Sequence, residues 1–251
     1  MKKRIKRIIK KVLEPIIQIE CTVLSFLTSK VFEQLKWVQW KLEPQPEHFD
    51  HRIDLYYQWI STRNPLWIER GVFGRLSLQN GKTLELACGD GFNARNFYST
   101  KSQSVIACDF DPKAIQTAIS NNLSENIQFV LADIRTDMPA GCFDNIIWDA
   151  AIEHFTIEES KDILIGIKKR LKPNGILCGY TMVQRVDQKK SLSHHEYEFK
   201  NKEDLHKFIS LFFKYVHIFE TEYPERHNLY FFASDDIGKI PFSESWPHRV
   251  Y

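Results

Sequence analysis

Thr83-Leu-Glu-Leu-Ala-Cys-Gly-Asp-Gly-Phe-Asn-Ala-Arg95 is an apolar run that enters a glycine turn and leaves it as a helix. Thr83, Leu84 and Leu86 suit a buried strand. Gly89 and Gly91 stand where the chain has to turn sharply, and a residue without a side chain also lets a ligand approach the backbone. The helix that follows aims its amide dipoles at whatever lies over the turn. By itself, the spacing Gly89-x-Gly91-x-x-Ala94 belongs to dinucleotide and adenosyl binders alike.

The rhythm repeats downstream. Thr83–Cys88, Ser104–Cys108, Ile127–Leu131, Asn145–Asp149 and Ile176–Val183 read as strands. Asn93–Ser99, Pro112–Leu123 and Ile157–Leu171 read as helices between them. This alternation implies an α/β domain, a mostly parallel sheet with helices on both faces. After a helix over Lys202–Phe212, the apolar runs Lys214–Glu220 and Asn228–Ser234 flank an excursion at Thr221–His227. That pattern predicts a final strand pair, at least partly antiparallel. Upstream, residues 52–79 read as two helices split at Asn64-Pro65, and residues 2–42 as one apolar-striped helix that Pro15 should kink or restart. The expected organisation is a basic helical extension over 1–43, a helical cap over 44–80, a core domain over 81–236 and a tail over 237–251.

Three strands end in acids where ligands of such sheets sit. Asp109 can accept two hydrogen bonds from ribose hydroxyls, and Asp133 can accept from an exocyclic amine. Asp149 closes the next strand. Asp111 reads as an N-cap, with Pro112 at the first helical position. The ordered series Leu-Glu-Leu-Ala-Cys-Gly-Asp-Gly (84–91), Ala-Cys-Asp-Phe-Asp (107–111), Ala-Asp-Ile (132–134), Phe-Asp-Asn-Ile-Ile-Trp-Asp (143–149) and Arg-Leu-Lys-Pro-Asn-Gly (170–175) resembles the class I S-adenosylmethionine-dependent methyltransferases over residues 80–235. The resemblance implies a Rossmann-like seven-stranded, mostly parallel sheet with an antiparallel last strand. It also implies S-adenosylmethionine as cofactor. Glu85, Ala87, Cys88, Gly89, Asp90 and Gly91 would line its methionine half. Asp109 would hold the ribose, Phe110 would flank the adenine, and Asp133 with the Ile134 amide would face the adenine edge. Trp148 and Asp149 would lie beside the sulfonium. Ala87 departs from the family's usual first glycine. A nicotinamide oxidoreductase is the rival within this fold class; Glu85 inside the first strand and the acids at 133 and 149 argue against it.

Methyl transfer from a sulfonium is governed by positioning, with a base useful for an acidic hydroxyl. His154, in Glu153-His154 after the fourth strand, is the first candidate for that base; the alternative is a histidine packed under the pocket rim. In Ser193-His-His-Glu-Tyr-Glu-Phe199, residues His194, His195 and Tyr197 either read a polar substrate or pack on a solvated loop, and His195 is the second catalytic candidate. Arg226 and His227 either contact an anionic group or decorate a hairpin. Arg63 or Arg70 could clamp the cofactor carboxylate, with Tyr56 or Tyr57 closing over it. Some relatives bind a divalent metal through Glu-x-x-Glu-His here, but Ala150-Ala-Ile-Glu153-His154 lacks the first acid, so no metal is expected.

The net charge of +2 combines +7 over the first 11 residues with −5 over the rest, so the globular part is not patterned for nucleic acid. The five cysteines show no Cys-x-x-Cys pair and read as reduced, buried residues of a cytoplasmic protein. Val12–Leu27 is broken by Glu14, Pro15, Gln18 and Glu20, short of the ~20 apolar residues of a spanning helix. Residues 1–20 are expected to meet an anionic membrane surface, peripherally at its inner face, or a protein partner. The expected activity is methylation of a small polar acceptor, most simply a hydroxyl on a sugar, glycan or lipid precursor. A non-catalytic cofactor-binding adaptor is the alternative, and the sequence leaves the oligomeric state open.

Overall fold

A computed structural model describes residues 2–41, 66–185, 187, 190–223 and 226–242. The chain divides into two compact units, residues 1–57 and 58–251. Within the first, α1 (Lys2–Lys41) is one helix with Pro15 inside it rather than a boundary there. Apart from the half-buried Phe32, its described apolar side chains are exposed, Ile19 at 66% and Phe26 at 60% among them. Taken over Pro15–Leu35 rather than 12–27, the helix is long and apolar enough to cross a membrane.

The second unit begins with α2 (Leu66–Ser77), which matches the predicted helix after Pro65. The predicted helix over 52–64, like the linker and the end of the tail, lies outside the described residues. Seven strands follow: β1 (Lys82–Leu86), β2 (Ser104–Asp109), β3 (Ile127–Leu131), β4 (Phe143–Asp149), β5 (Leu171–Met182), β6 (Tyr215–Tyr223) and β7 (Arg226–Ser234). They form one sheet in the order β3-β2-β1-β4-β5-β7-β6. The first five pair in parallel, and β7 runs antiparallel to both β5 and β6. The connecting helices are α3 (Pro112–Asn122), α4 (Ile157–Arg170) and α5 (Lys202–Ile209). The turn after β1 continues into a π-helical stretch, Ala94–Tyr98, a wide coil found mostly at functional positions.

Alternation along the strands splits the core in two. Leu84, Leu86, Ile146 and Trp148 join Ile163, Leu164 and Ile167 of α4 and Leu205 of α5 on one face. Val105, Ala107, Ile147, Cys178 and Phe232 join Ala94 and Tyr98 on the other. Capping sets the helix starts: the Asp111 carboxylate accepts from the Lys113 N–H at 2.8 Å, and Thr156 and Glu159 close a reciprocal capping box at the start of α4.

Three expectations need correction. β5 starts at Leu171, five residues early, because Leu171 already pairs with Phe143 before a register shift. β6 and β7 extend into the Thr221–His227 excursion, with Glu222 paired to His227 and Tyr223 to Arg226, so the ladder runs on past the apolar runs. All five cysteines are free, but Cys21 and Cys142 are exposed rather than buried.

Candidate active site

Strand order reverses at β1, whose neighbours β2 and β4 lie on opposite sides. Ligands of open α/β sheets sit outside the carboxyl ends of the strands at such a point. Ala87 (φ 55°), Gly89 (φ 54°) and Gly91 (φ 72°) after β1, and Ala150 (φ 51°) after β4, all adopt positive φ. For alanine this conformation is strained, and such strain gathers at functional rims. The two glycines differ in why they must be glycine. A Cβ on Gly89 would meet nothing within 4 Å, so the space above it is open to a ligand; one on Gly91 would lie 2.5 Å from the Phe129 ring.

The Asp109 carboxylate caps this turn. Its Oδ2 accepts from the Gly89 N–H at 2.9 Å and its Oδ1 from the Asp111 N–H at 2.9 Å. A carboxylate in this position is an acceptor of the kind a ribose hydroxyl needs. Asp90 is a buried turn brace: its Oδ1 accepts from the Phe92 N–H and its carbonyl from Asn122 Nδ2. Cys88 is buried, its N–H donating to the Cys108 carbonyl at 2.9 Å.

Glu85 is 3% exposed, and its Oε2 is buried without a hydrogen-bond partner. Burial, and secondarily Asp149, pushes its carboxyl well above the usual carboxylate range. An orphaned carboxylate oxygen at the foot of a ligand-accessible turn fits the ammonium of a methionyl group. Asp149 pairs with Arg70 at 2.7 Å and also accepts from Asn93 Nδ2 at 3.3 Å. Burial works against the Arg70 charge, but Asp149 more than offsets it, and the guanidinium stays protonated. It also lies over the Tyr180 ring, 5.0 Å from the centroid. The structure thus brings Arg70, 79 residues away in sequence, onto Asp149. Trp148 is fully buried, next to Phe155.

Among the residues expected to meet the adenine, Phe110 is 59% exposed and Ile134 is buried. The Asp133 carboxylate is gripped by Arg135, through Nη2 at 2.7 Å and Nε at 3.0 Å. These hydrogen bonds hold its pKa below the usual range, so it stays an acceptor.

The two histidine segments, treated separately in the sequence, meet. His154 and His194 stack with centroids 4.9 Å apart and planes 7° apart. His195 stands edge-on to His154 at 4.9 Å. It is 1% exposed, with Nδ1 2.5 Å from Glu198 Oε1. The backbone N–H groups of Glu196 and Tyr197 donate to the Glu153 carbonyl at 2.8 and 3.2 Å, pinning this loop to the turn after β4. Tyr197 reaches Asp204 instead of the rim.

A third network has no local sequence signal. Glu69 of α2 accepts from Thr221 Oγ1 and Tyr230 O–H, each at 2.6 Å, and from the Tyr223 O–H. Tyr180 donates to Asn228 Oδ1 at 3.0 Å and accepts from Arg226. Arg226 is thereby built into the wall of the site, whereas His227 turns to Glu220 at 2.6 Å. The tyrosines were hidden among ordinary strand aromatics. Arg63, Tyr56 and Tyr57 lie outside the described residues.

A family model described as a methyltransferase domain matches residues 83–175. No curated protein matches the sequence. Among solved structures, the chain is similar to the N-methyltransferase NodS from Bradyrhizobium japonicum WM9 in complex with S-adenosyl-L-homocysteine, at 19% identity and a TM-score of 0.55, covering 73% of this chain and 93% of that one. The DhpI–SAH complex gives 17% identity and a TM-score of 0.56 over 74% of this chain and 90% of DhpI. Human N-acetylserotonin methyltransferase in complex with SAM gives 15% and 0.54 over 74% and 57%. At these identities the structural likeness is one of fold.

Proposed function

We propose that the chain is an S-adenosylmethionine-dependent methyltransferase, a reading supported by the family match over residues 83–175 and by the likeness of fold to NodS, and that it methylates a hydroxyl of a small polar acceptor, a sugar or a glycan or lipid precursor. When bound, the cofactor supplies a methyl group already activated on a sulfonium, so the protein's task is chiefly orientation. Glu85 and the Ala87–Gly91 turn would hold the methionyl half, with Arg70 and Asp149 as its charged floor. Asp109 would hold the ribose. Phe110, Asp133 and Ile134 would receive the adenine.

The observation that supports a hydroxyl acceptor is the half-buried His154, on a short turn just past Asp149. Imidazole exchanges a proton near neutral pH, and it would take the hydroxyl proton as the oxygen becomes the nucleophile. The test is transfer of labelled methyl from the cofactor to a panel of sugars and glycan precursors. Replacing His154→Ala is expected to lower kcat by about 100-fold, the low end for a lost general base, with cofactor affinity retained. Tight cofactor binding with no transfer to any member of the panel would overturn the proposal.

The N-terminal helix bears on where the reaction takes place. Seven basic residues precede an apolar stretch most of whose described side chains are exposed. That combination complements an anionic lipid surface. We place the enzyme at the cytoplasmic face of a membrane, where a lipid-linked acceptor would be delivered.

A further inference from the structure

We propose that His154, His194 and His195 form a binding site for one divalent transition-metal ion of the zinc type. One ring nitrogen from each lies within 4.8 Å of the other two. A bound ion needs Zn–N distances of about 2.0–2.1 Å, hence nitrogens about 3.4 Å apart in tetrahedral geometry. The His154 and His194 rings, stacked with planes 7° apart, must tilt out of that stack for both lone pairs to meet at one ion, which takes side-chain rotations of His194. His194 is exposed and has room to make them, while His195 is 1% exposed and fixed.

The surroundings of His195 are those of a metal ligand. Its Nδ1 is 2.5 Å from Glu198 Oε1, and both side chains are almost fully buried. Glu198 Oε1 also accepts the Ser191 N–H at 2.7 Å, which orients the carboxylate. A carboxylate holding one ring nitrogen leaves Nε2 as the metal-binding atom and raises its basicity. The second oxygen of Glu198 is buried without a hydrogen-bond partner. A dication behind the imidazole would offset that buried negative charge.

The scaffold brings the three rings together without any ion. The loop is tied to the Glu153 carbonyl, and the Glu153 carboxyl accepts from Thr181 Oγ1 at 3.0 Å. Three imidazoles with further positions facing solvent make the donor set of an open zinc site. This set differs from the acidic Glu-x-x-Glu-His pattern whose absence argued against a metal. Oxygen ligands suit magnesium or calcium, whereas imidazoles suit zinc, nickel, copper or iron. The binding proposal rests on the hydroxyl-acceptor reading only for its consequence: the ion would hold the acceptor oxygen and ease its deprotonation, in place of His154 acting alone.

Cobalt(II) titration of the full chain tests the site. We expect one equivalent per chain, ligand-field absorption in the visible, and displacement by zinc. Glu198→Gln should weaken binding about 10- to 100-fold, the usual effect of losing such a partner, and His194→Ala should abolish the bands. Because His194 is exposed, that variant decides the matter even if a His195 variant fails to fold. Absence of bands, or bands unchanged in both variants, would overturn the site. Calorimetry with S-adenosylhomocysteine on the same samples separates the readings. Intact cofactor binding without cobalt bands sinks the metal site alone. Cobalt bands without cofactor binding sink the methyltransferase reading and leave the metal site standing.

Discussion

On the proposed reading, Glu85 trades stability for binding. Its buried carboxyl has a raised pKa, so the native state holds that proton more tightly than the unfolded chain. The residue costs nothing through ionisation below the unfolded value of about 4.3, and stability is lost as pH rises towards the folded pKa. Glu85→Gln removes the charge while keeping the shape. We predict a melting temperature higher by about 2 °C at neutral pH, on the order of the relief of one poorly satisfied buried group. The gain should shrink as pH is lowered towards 4, near the unfolded-state pKa. Cofactor affinity should fall in the same variant. A Glu85→Gln variant that melts lower, or binds the cofactor unchanged, would show that Glu85 is a structural residue.

At the scale of elements, the turn after β1 is held from several sides. Asp109 at the end of β2 accepts from Gly89, Asn122 at the end of α3 donates to the Asp90 carbonyl, and Phe129 of β3 packs over Gly91. The turn is therefore shaped by three elements beyond β1. Gly91→Ala would add a Cβ 2.5 Å from the Phe129 ring at a φ of 72°. Left-handed strain and overpacking together are worth about 2–4 kcal/mol. Chemical denaturation should show a loss of that size, with weakened cofactor binding. Full native stability in Gly91→Ala would mean that β3 moves aside at little cost.

For the whole molecule, the charge distribution matters more than its sum. The seven basic residues of the first 11 leave the remainder at −5, so an anionic surface would attract the N-terminal segment and repel the rest. Each basic residue is worth about 1 kcal/mol near such a surface. Charge-neutral replacement of Lys2, Lys6 and Lys10 by Gln should thus reduce partitioning onto anionic vesicles by roughly 100-fold, with little change on neutral ones. Failure of the unaltered chain to sediment with anionic vesicles at low salt would leave a protein partner as the occupant of this helix.

The sequence by itself determined the alternating architecture, the glycine turn, the acids at the ends of β2 and β4, and the reversed final strand. These follow from short-range patterns: side-chain period, caps and turn residues, each legible within a dozen positions. It also marked both histidine segments without relating them. Only the tertiary structure decided that His154 stacks on His194, that Arg70 pairs with Asp149, and that Glu69 gathers Thr221, Tyr223 and Tyr230. Those meetings depend on strand order, ladder register and one backbone tether at Glu153. Such long-range constraints leave no periodic trace in the chain, because each is fixed by where distant elements dock rather than by which residues stand side by side.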